Sequence, residues 1–367
     1  MSYPIRLQRV AESRLATTDF DELAFGKVFT DHMFLADYSG GQWGDARIAP
    51  YGPFTLDPSN LALHYGQSVF EGMKATRSAT GGVVLWRPDM HAARLNRSAA
   101  RLMMPEVPED LFLDAVDALV ELESAWVPPG EESALYIRPF MFATESGVGV
   151  RPASSYRFAV FCCPVGPYYA KPVSLLAETT YVRAAVGGVG EAKAAGNYAA
   201  SLLPAKLAQD RGYDQILWLD AKEHRWVQEV GTMNLLFVIG GHVVTPATDG
   251  AILHGVTRDS ILRLLADDGR PADVRPVAID EIAEAFDAGQ LTEAFGAGTA
   301  AVVSDVASIT YRGKEMTLPA PSDRPVSRWI RDRINGIRSG RYPDPYGWLR
   351  PAGHRAALEP APAPAAA

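Results

Sequence analysis

The sequence predicts an α+β protein of two domains. Its 367 residues exceed the usual length of one domain. Segments with the two-residue alternation of strands are mixed with segments that have the apolar spacing of amphipathic helices. Near the middle, the string PVGPYYAKP interrupts both patterns with three prolines and a glycine. We therefore expect a small first domain at residues 1–165, an interdomain linker at 166–174 and a large second domain at 175–350.

The first domain is expected to pack helices on an antiparallel sheet. An extended segment, Phe25–Tyr38, contains the alternation HMFLADY and leads into a loop that runs to Asn60. Two amphipathic segments predict helices at Met90–Met103 and at Asp110–Ala125. Short apolar alternations predict further strands at Val83–Arg87, Ala134–Ala143 and Tyr156–Pro164.

The second domain is expected to mix strands, hairpins and helices. Gly240 and Gly241 separate two apolar runs, which is a strong signal for a β-hairpin. Thr257 is expected to cap a helix that Gly269 ends. The predicted strands are Val173–Ala177, Gln215–Asp220, Arg225–Gln228, Asn234–Ile239, His242–Thr245, Leu291–Phe295, Val302–Val306 and Ile309–Tyr311. The predicted helices are Asn197–Arg211, Thr257–Asp268 and Val326–Ser339. Residues 351–367 are rich in proline and alanine and are expected to form a disordered tail.

Composition and charge exclude several classes of protein. Hydrophobic residues make up 47% and charged residues 21% of the chain, as in ordinary soluble globular proteins. The net charge of -8 argues against a surface for nucleic acid or for an anionic membrane. No apolar run is long enough to span a bilayer, and the N-terminus lacks the apolar core of a signal peptide. Because Cys162 and Cys163 are adjacent in an apolar run, we expect them to be buried strand residues of a protein in a reducing cytoplasm. The 7 histidines have no metal-binding spacing, so we expect no metal site.

The stretch Gly187–Ser201, GGVGEAKAAGNYAAS, is the strongest local signal for chemistry. It places Lys193 among small residues and between glycine-containing turns, which leaves room around the amine. A Schiff-base lysine needs such room, because its deprotonated amine must reach both a carbonyl cofactor and a substrate. A glycine-rich surface turn with a solvated lysine has the same local pattern. The stretch is not a phosphate-binding loop, since alanines flank Lys193 where that motif needs glycine and Ser or Thr.

Six strings in register give the chain a wider resemblance. They are FGKVFTDHMF, LHYGQSVFEGMKA, LYIRPFMFATESGVGV, GGVGEAKAAGNYAASL, VQEVGTMNLLFV and EAFGAGTAAVV. In this order they resemble the branched-chain amino-acid aminotransferases, which are pyridoxal 5'-phosphate (PLP) enzymes of fold type IV in the class IV aminotransferase family. The similarity runs from about Leu23 to Leu349. It implies a small α/β domain, a larger domain with a β-barrel-like core, and a cytoplasmic homodimer. The implied reaction is amino-group transfer between Leu, Ile or Val and 2-oxoglutarate.

The resemblance assigns the central cofactor roles. Lys193 would bind the cofactor aldehyde and then move the proton at the substrate Cα. Glu229 would pair with the pyridine nitrogen and keep the ring protonated, which makes the ring an electron sink. Tyr198 would contact the phenolic oxygen of the cofactor, and Thr232 belongs to the same cofactor-binding set.

The phosphate and the substrate α-carboxylate are assigned in the same way. Arg94 would bind the phosphate by a charge-assisted contact. Val256 and Thr257 would add backbone N–H groups at a helix start, where an anion is favoured. Thr299 would contribute its hydroxyl to the phosphate, and the N–H groups of Thr299 and Ala300 would hold the α-carboxylate.

The resemblance also outlines the substrate pocket. Tyr136 and Arg138 match residues that accept the second carboxylate of glutamate. Val148 and Val150 match residues on a loop that reaches in from the neighbouring subunit. An apolar and aromatic lining suits a branched side chain by burial alone. The residues that match this lining are Phe25, Tyr65, Phe70, Tyr168 and Ala300.

Departures from the family pattern leave the substrate preference open. Ala301 and Ser304 stand where mammalian members carry a redox CxxC pair, so no thiol switch of that type is possible. Ala194, Ala195 and Val148 replace commoner family residues, as a paralogue serving the biosynthesis of an unusual β-branched amino acid would. Two rivals also stay open. One is a D-amino-acid aminotransferase or aminodeoxychorismate lyase of the same fold, and the other is a cofactor-free binding protein on this fold.

Overall fold

A computed structural model describes residues 3–79, 81–130, 132–166, 171–299, 302–353 and 358–360. The chain divides into two compact units. The first unit contains Met1–Tyr168 and Asn335–Ala367, and the second unit contains Tyr169–Ile334. Within the described residues, no helix combines the length and the hydropathy that a membrane crossing requires.

Strands and helices are numbered in chain order across both units. The strands are β1 Ile5–Leu7, β2 His32–Ser39, β3 Gln42–Pro50, β4 Ser68–Phe70, β5 Met73–Arg77, β6 Val83–Trp86, β7 Ala134–Ala143, β8 Tyr156–Val165, β9 Val173–Ala177, β10 Gln215–Leu219, β11 Val227–Val230, β12 Met233–Ile239, β13 His242–Pro246, β14 Asp273–Arg275, β15 Leu291–Gly298, β16 Val302–Tyr311, β17 Lys314–Thr317, β18 Leu349–Pro351 and β19 Leu358–Pro360. The helices are α1 Leu61–Tyr65, α2 Pro88–Arg101, α3 Glu109–Leu122, α4 Ala195–Ala200, α5 Leu202–Asp210, α6 Val256–Asp267, α7 Ile279–Asp287 and α8 Pro325–Ser339.

The first unit is built on one sheet, in the order β18-β6-β5-β7-β8-β2-β3-β1-β19, with β4 paired to β7. At its centre β7 and β8 pair antiparallel along their whole length, from Ala134 opposite Val165 to Ala143 opposite Tyr156. The helix α3 packs on β2 and β8, and its apolar residues are buried on nearly every side. The structure thus confirms helices packed on a sheet that is antiparallel, except where β1 pairs parallel with β3 and β19.

The C-terminal segment completes the edges of this sheet. The strand β18 pairs antiparallel with β6, and β19 pairs parallel with β1. Beside the β18 pairing, the rings of Trp86 and Trp348 meet edge to face at 5.2 Å. The prediction of a disordered tail at 351–367 is therefore wrong for residues 358–360, which form β19. Composition misses this pairing because edge strands take their partners from residues far away in the chain.

The second unit contains a closed ring of six strands. The pairings run β11-β10-β9-β16-β15-β12, and a further pairing of β12 with β11 closes the ring. Outside the ring, β13 and β14 continue from β12, and β17 pairs with β16. Buried Leu175, Leu217, Val230 and Leu235 belong to one apolar cluster of these strands. This ring confirms the expected barrel-like core.

Several local predictions need correction. The segment Gln42–Pro50 is a strand and not a loop, because it pairs with β2 on one side and β1 on the other. The two strands predicted at 302–311 form the single strand β16, whose pairing with β9 shifts register between Val306 and Ser308. The helix predicted at 197–211 is divided at Ser201 into α4 and α5. The helix α7 was not predicted.

Other local predictions are confirmed. The strands β7 and β9 have the predicted bounds. Cys162 and Cys163 are both free and buried in β8. Burial raises the pKa of the Cys163 thiol to about 11.

Candidate active site

Lys193 lies in the second unit, just before α4. Its Nζ donates a hydrogen bond of 2.8 Å to the Oη of Tyr198 in that helix. The amide of buried Asn197 holds the preceding turn, since its Nδ2 donates to the carbonyls of Val189 and Ala192, both at 2.8 Å. Gly190 must be glycine here, because a Cβ would lie 2.4 Å from the carbonyl oxygen of Ala251. The lysine is therefore carried by a fixed turn and not by a loose surface loop.

Glu229 is a buried carboxylate on β11. Its Oε1 accepts hydrogen bonds from the N–H of Leu253 at 2.7 Å and from the Asn234 amide at 3.5 Å. Its Oε2 lies 3.3 Å from Nε of Arg183. Two N–H donors and a guanidinium favour the charged carboxylate at this position.

One cavity of the second unit connects these groups. It is lined by Tyr198 of α4, Glu229 of β11 and Thr232 of the turn that follows β11. The structure therefore brings together three of the predicted cofactor residues, and it brings Lys193 to the same place through Tyr198. The remaining lining residues are Arg183, Gly190, Ala192, Asn197, Ser201, Gly231 and Leu253.

The start of α6 is tied to the Glu229 network. Asn234 donates from Nδ2 to the carbonyl of Leu253 at 2.9 Å. The N-cap residue is Gly255 and not the predicted Thr257, since α6 begins at Val256. Position 255 requires glycine, because a Cβ there would lie 1.9 Å from Oδ1 of Asn234. A glycine cap has no side chain to satisfy the first-turn N–H groups, which include those of Val256 and Thr257. Such a helix start favours an anion.

Thr299 follows β15 and is half-buried. The preceding Gly298 lies against Met233, whose Cγ would be 3.0 Å from an added Cβ. This contact places Gly298, the neighbour of the predicted Thr299, beside the first residue of β12. Ala300 lies outside the described residues.

Arg94 is in the first unit, on α2, where it forms a buried ion pair with Glu71. Its Nε donates to Oε1 of Glu71 at 2.7 Å and its Nη2 donates to Oε2 at 2.8 Å. His91 Nδ1 lies 2.7 Å from the same Oε2. Burial alone would raise the pKa of Glu71, but Arg94 and His91 hold it well below its usual range. Arg97 and Arg101, by contrast, are exposed.

Arg138 sits among aromatic rings on β7. Its Nη2 donates to the Oη of Tyr136 at 3.0 Å, and its guanidinium lies 4.7 Å from the centre of the Phe70 ring. Phe25 meets Tyr136 edge to face at 5.1 Å. Gly72 leaves space for this tyrosine, since a Cβ there would lie 2.1 Å from its Oη. The structure thus gathers four of the predicted pocket residues of the first unit.

Arg138 also has a buried donor that the described residues do not satisfy. Its Nε is buried and forms no hydrogen bond within the part of the chain that the structure describes. Buried donors in native proteins are nearly always satisfied, so this atom suits an anionic or carbonyl ligand.

Tyr65 supports the turn that carries two other predicted residues. Its Oη accepts a hydrogen bond of 2.8 Å from the N–H of Gly149. On either side, Val148 and Val150 are 91% and 87% exposed in the single chain. Tyr168, the remaining predicted pocket residue, lies outside the described residues.

Sequence reasoning missed three polar residues of these networks. Arg183 and Asn234 contact Glu229, and Glu71 holds Arg94. Glu71 and Asn234 stand inside the strings FEGMKA and GTMN, so those strings were a usable signal. The sequence signal for Arg183 is weaker, because it is only a lone arginine among small residues ahead of Lys193. The described residues contain no group of three or more His, Cys, Asp or Glu side chains placed to hold a metal ion.

Comparisons with known proteins identify the family of the chain. Residues 68–309 match the model of the family described as amino-transferase class IV. The branched-chain-amino-acid transaminase 1 of Bacillus subtilis is 49% identical over 335 residues, covering 90% of this chain and 94% of the relative. The structure of Escherichia coli branched-chain amino acid aminotransferase superposes with a TM-score of 0.74 at 26% identity, covering 88% of this chain and 99% of that one.

A second solved structure matches in the same way and is described as a PLP form. It is the branched-chain amino acid aminotransferase from Thermobaculum terrenum, with a TM-score of 0.72, 25% identity, and coverage of 87% of this chain and 98% of that one. The resemblance read from the six strings is confirmed. The chain belongs to the class IV aminotransferases and, within them, to the branched-chain-amino-acid aminotransferases.

Proposed function

We propose that the protein transfers the amino group of L-leucine, L-isoleucine or L-valine to 2-oxoglutarate, with PLP as cofactor. The products are the branched-chain 2-oxo acids and L-glutamate. The observation that carries this proposal is the cavity that joins the Lys193–Tyr198 pair to the buried Glu229. The near-full-length similarity to the Bacillus subtilis transaminase supports the substrate class.

The residues of the second unit fit PLP at three chemically different points. The uncapped start of α6, with Val256 and Thr257, suits the phosphate. The buried carboxylate of Glu229 suits a protonated pyridine nitrogen, and the amine of Lys193 suits the aldehyde. When bound, PLP supplies this aldehyde together with an electron-withdrawing ring. Arg94, Thr232 and Thr299 are proposed as further ligands of the cofactor on the strength of the family match.

Lys193 is proposed to move the proton at the substrate Cα. Its Nζ is held at 2.8 Å by Tyr198, which positions an otherwise flexible four-carbon side chain. Tyr198 also keeps a hydroxyl beside the amine, where it would contact the phenolic oxygen of the cofactor. Glu229 is proposed to stay charged throughout, because Leu253, Asn234 and Arg183 all stabilise its carboxylate.

The aromatic cluster around Arg138 is proposed to bind the substrate side chain. Phe25, Tyr65 and Phe70 supply apolar surface for a branched aliphatic group. The buried Nε of Arg138 and the hydroxyl of Tyr136 supply donors for the second carboxylate of glutamate.

The protein is proposed to be a cytoplasmic homodimer. Val148 and Val150 are apolar yet almost fully exposed in the single chain, and Tyr65 holds their turn in place. A second subunit would cover them, with this turn reaching into the neighbour's pocket. Light scattering at assay concentration is expected to give at least twice 39.7 kDa. A fully active monomer would contradict the dimer.

An absorbance spectrum and an amino-donor panel test the proposed reaction. The purified protein is expected to be yellow and to transaminate the L-forms of Leu, Ile and Val. Lys193→Ala should remove the cofactor band and nearly all turnover. Lys206→Ala is the matched control, since Lys206 pairs with Asp210 on the exposed face of α5. Preference for D-amino acids, or near-normal turnover of Lys193→Ala, would refute the proposal.

A further inference from the structure

Arg183 touches three segments of the second unit at once. Its side chain is 8% exposed, and its Nε lies 3.3 Å from Oε2 of Glu229. Its Nη2 donates to the carbonyl oxygen of Gly190 at 3.2 Å and to that of Ala251. One guanidinium therefore joins the carboxylate on β11, the turn before Lys193 and the loop before α6.

The two carbonyl contacts lie close to the groups that the chemistry needs. Gly190 precedes Lys193 by three residues, and Ala251 precedes by two residues the Leu253 whose N–H binds Glu229. Gly190 and Ala251 themselves meet so closely that no Cβ fits between them. Displacing Arg183 would thus loosen the Lys193 turn and one donor to Glu229 together.

The contact with Glu229 is ionic and not a directional hydrogen bond. Nε of Arg183 is buried but is outside hydrogen-bond geometry with every acceptor among the described residues. The guanidinium therefore stabilises the negative charge of Glu229, while its Nη2 donates hydrogen bonds to the two carbonyl oxygens. A buried carboxylate without such a cation would be strongly disfavoured.

We propose that Arg183 is a positioning residue that holds Glu229 charged and fixed in the cavity and couples it to the turn that carries Lys193. This inference rests on the proposed function, in which Glu229 pairs with the pyridine nitrogen of PLP. Arg183→Lys should preserve this role only in part, because the lysine ammonium supplies the positive charge but not the planar set of donors that arginine has.

A double-mutant cycle between Arg183 and Glu229 tests the coupling. The variants are Arg183→Gln, Glu229→Gln and the double variant, with Arg183→Lys as the conservative change. The readouts are the PLP dissociation constant from an absorbance titration, kcat for leucine with 2-oxoglutarate, and the melting temperature of the cofactor-free protein. Arg275→Gln is the matched control, because Arg275 pairs with Asp273 and Glu281 at the surface of the same unit.

Arg183→Gln is expected to weaken PLP binding and to lower kcat by about tenfold or more each, on the scale of a lost charged contact. Arg183→Lys should recover part of both losses. In the Glu229→Gln background, Arg183→Gln should change both quantities by a clearly smaller factor than in the wild type, because only the loss of its two carbonyl contacts then remains. The Arg275→Gln control should stay near wild type in all three readouts.

Two outcomes would overturn the proposal. A full additional loss from Arg183→Gln in the Glu229→Gln background would show that Arg183 acts independently of Glu229, while the proposed role of Glu229 would survive. A Glu229→Gln variant equal to wild type would overturn the role of Glu229 itself and the Arg183 proposal with it. If Arg183→Gln does not fold, the same cycle with Arg183→Lys gives the same decision.

Discussion

Replacing Arg138 should slow the reaction of glutamate much more than that of leucine, although both are proposed to use the same pocket. Leucine brings an uncharged side chain, whereas glutamate brings a carboxylate to the same place. Arg138→Gln keeps a polar side chain but removes the charge that would pair with that carboxylate. We therefore expect a selective loss, in which glutamate and 2-oxoglutarate suffer and leucine is largely spared.

The structure sets the size of this loss. The Nε of Arg138 is buried without a hydrogen bond among the described residues, so a bound carboxylate would gain a desolvated donor as well as a charge. Leaving one partner of such a pair alone costs about 2–5 kcal/mol. At about 1.4 kcal/mol per tenfold, the glutamate half-reaction should slow by about thirtyfold to several thousandfold.

Leucine should lose far less because Arg138 is already stabilised without a carboxylate. Its guanidinium lies 4.7 Å from the ring centre of Phe70 and 5.3 Å from that of Tyr136, and it donates to the hydroxyl of Tyr136. Such cation–π contacts contribute about 0.5–2 kcal/mol and do not depend on the substrate.

Single-turnover spectra of each half-reaction measure the effect directly. Arg157→Gln is the matched control, since Arg157 on the neighbouring strand β8 pairs with Asp37. It should leave the ratio of leucine to glutamate rates unchanged. Equal losses for leucine and glutamate in Arg138→Gln would mean that Arg138 is structural and that another cation binds the carboxylate.

Three further predictions concern the groups that support these sites. Glu229→Gln should lower kcat at saturating PLP by at least about a hundredfold, which corresponds to about 2.7 kcal/mol of barrier. An unchanged kcat together with weaker PLP binding would mean that Glu229 only helps to bind the cofactor. Gly72→Ala should displace Tyr136, because the new Cβ would lie 2.1 Å from its Oη, and KM for glutamate should rise more than KM for leucine. Glu71→Gln should lower the free energy of unfolding by about 3–5 kcal/mol by leaving Arg94 buried without its carboxylate, as chemical denaturation would measure. Since the pKa of Glu71 is held low in the folded protein, its stabilisation should be complete above about pH 4.3 and lost as pH falls further, and Glu71→Gln should flatten that part of the stability profile.

Local sequence predicted most of the strands and the candidates for the reacting groups. The bounds of β7 and β9 could be predicted from short apolar runs, and both strands are buried except at Arg138 and Phe140 in β7 and at Ser174 in β9. Lys193 was identifiable as a candidate because small residues and glycines surround it, and two of the six strings then pointed to Glu229 and Arg138 by their type and order. Motifs of this kind preserve the chemistry that a site needs, so they can be read without coordinates.

Only the tertiary structure decided which groups hold those residues in place. Arg183 and Glu229 are 46 positions apart, and Glu71 and Arg94 are 23 apart, so no local pattern links either pair. The helix α6 begins one residue before the predicted cap Thr257, and the close contact with Asn234 on β12 is what requires glycine at its N-cap, Gly255. The same holds for the pairing of β11 with β12 that closes the ring and for the pairing of β19 with β1. Buried charges and strand edges must find partners wherever the fold brings them, and that is a property of long-range packing and not of neighbouring residues in the sequence.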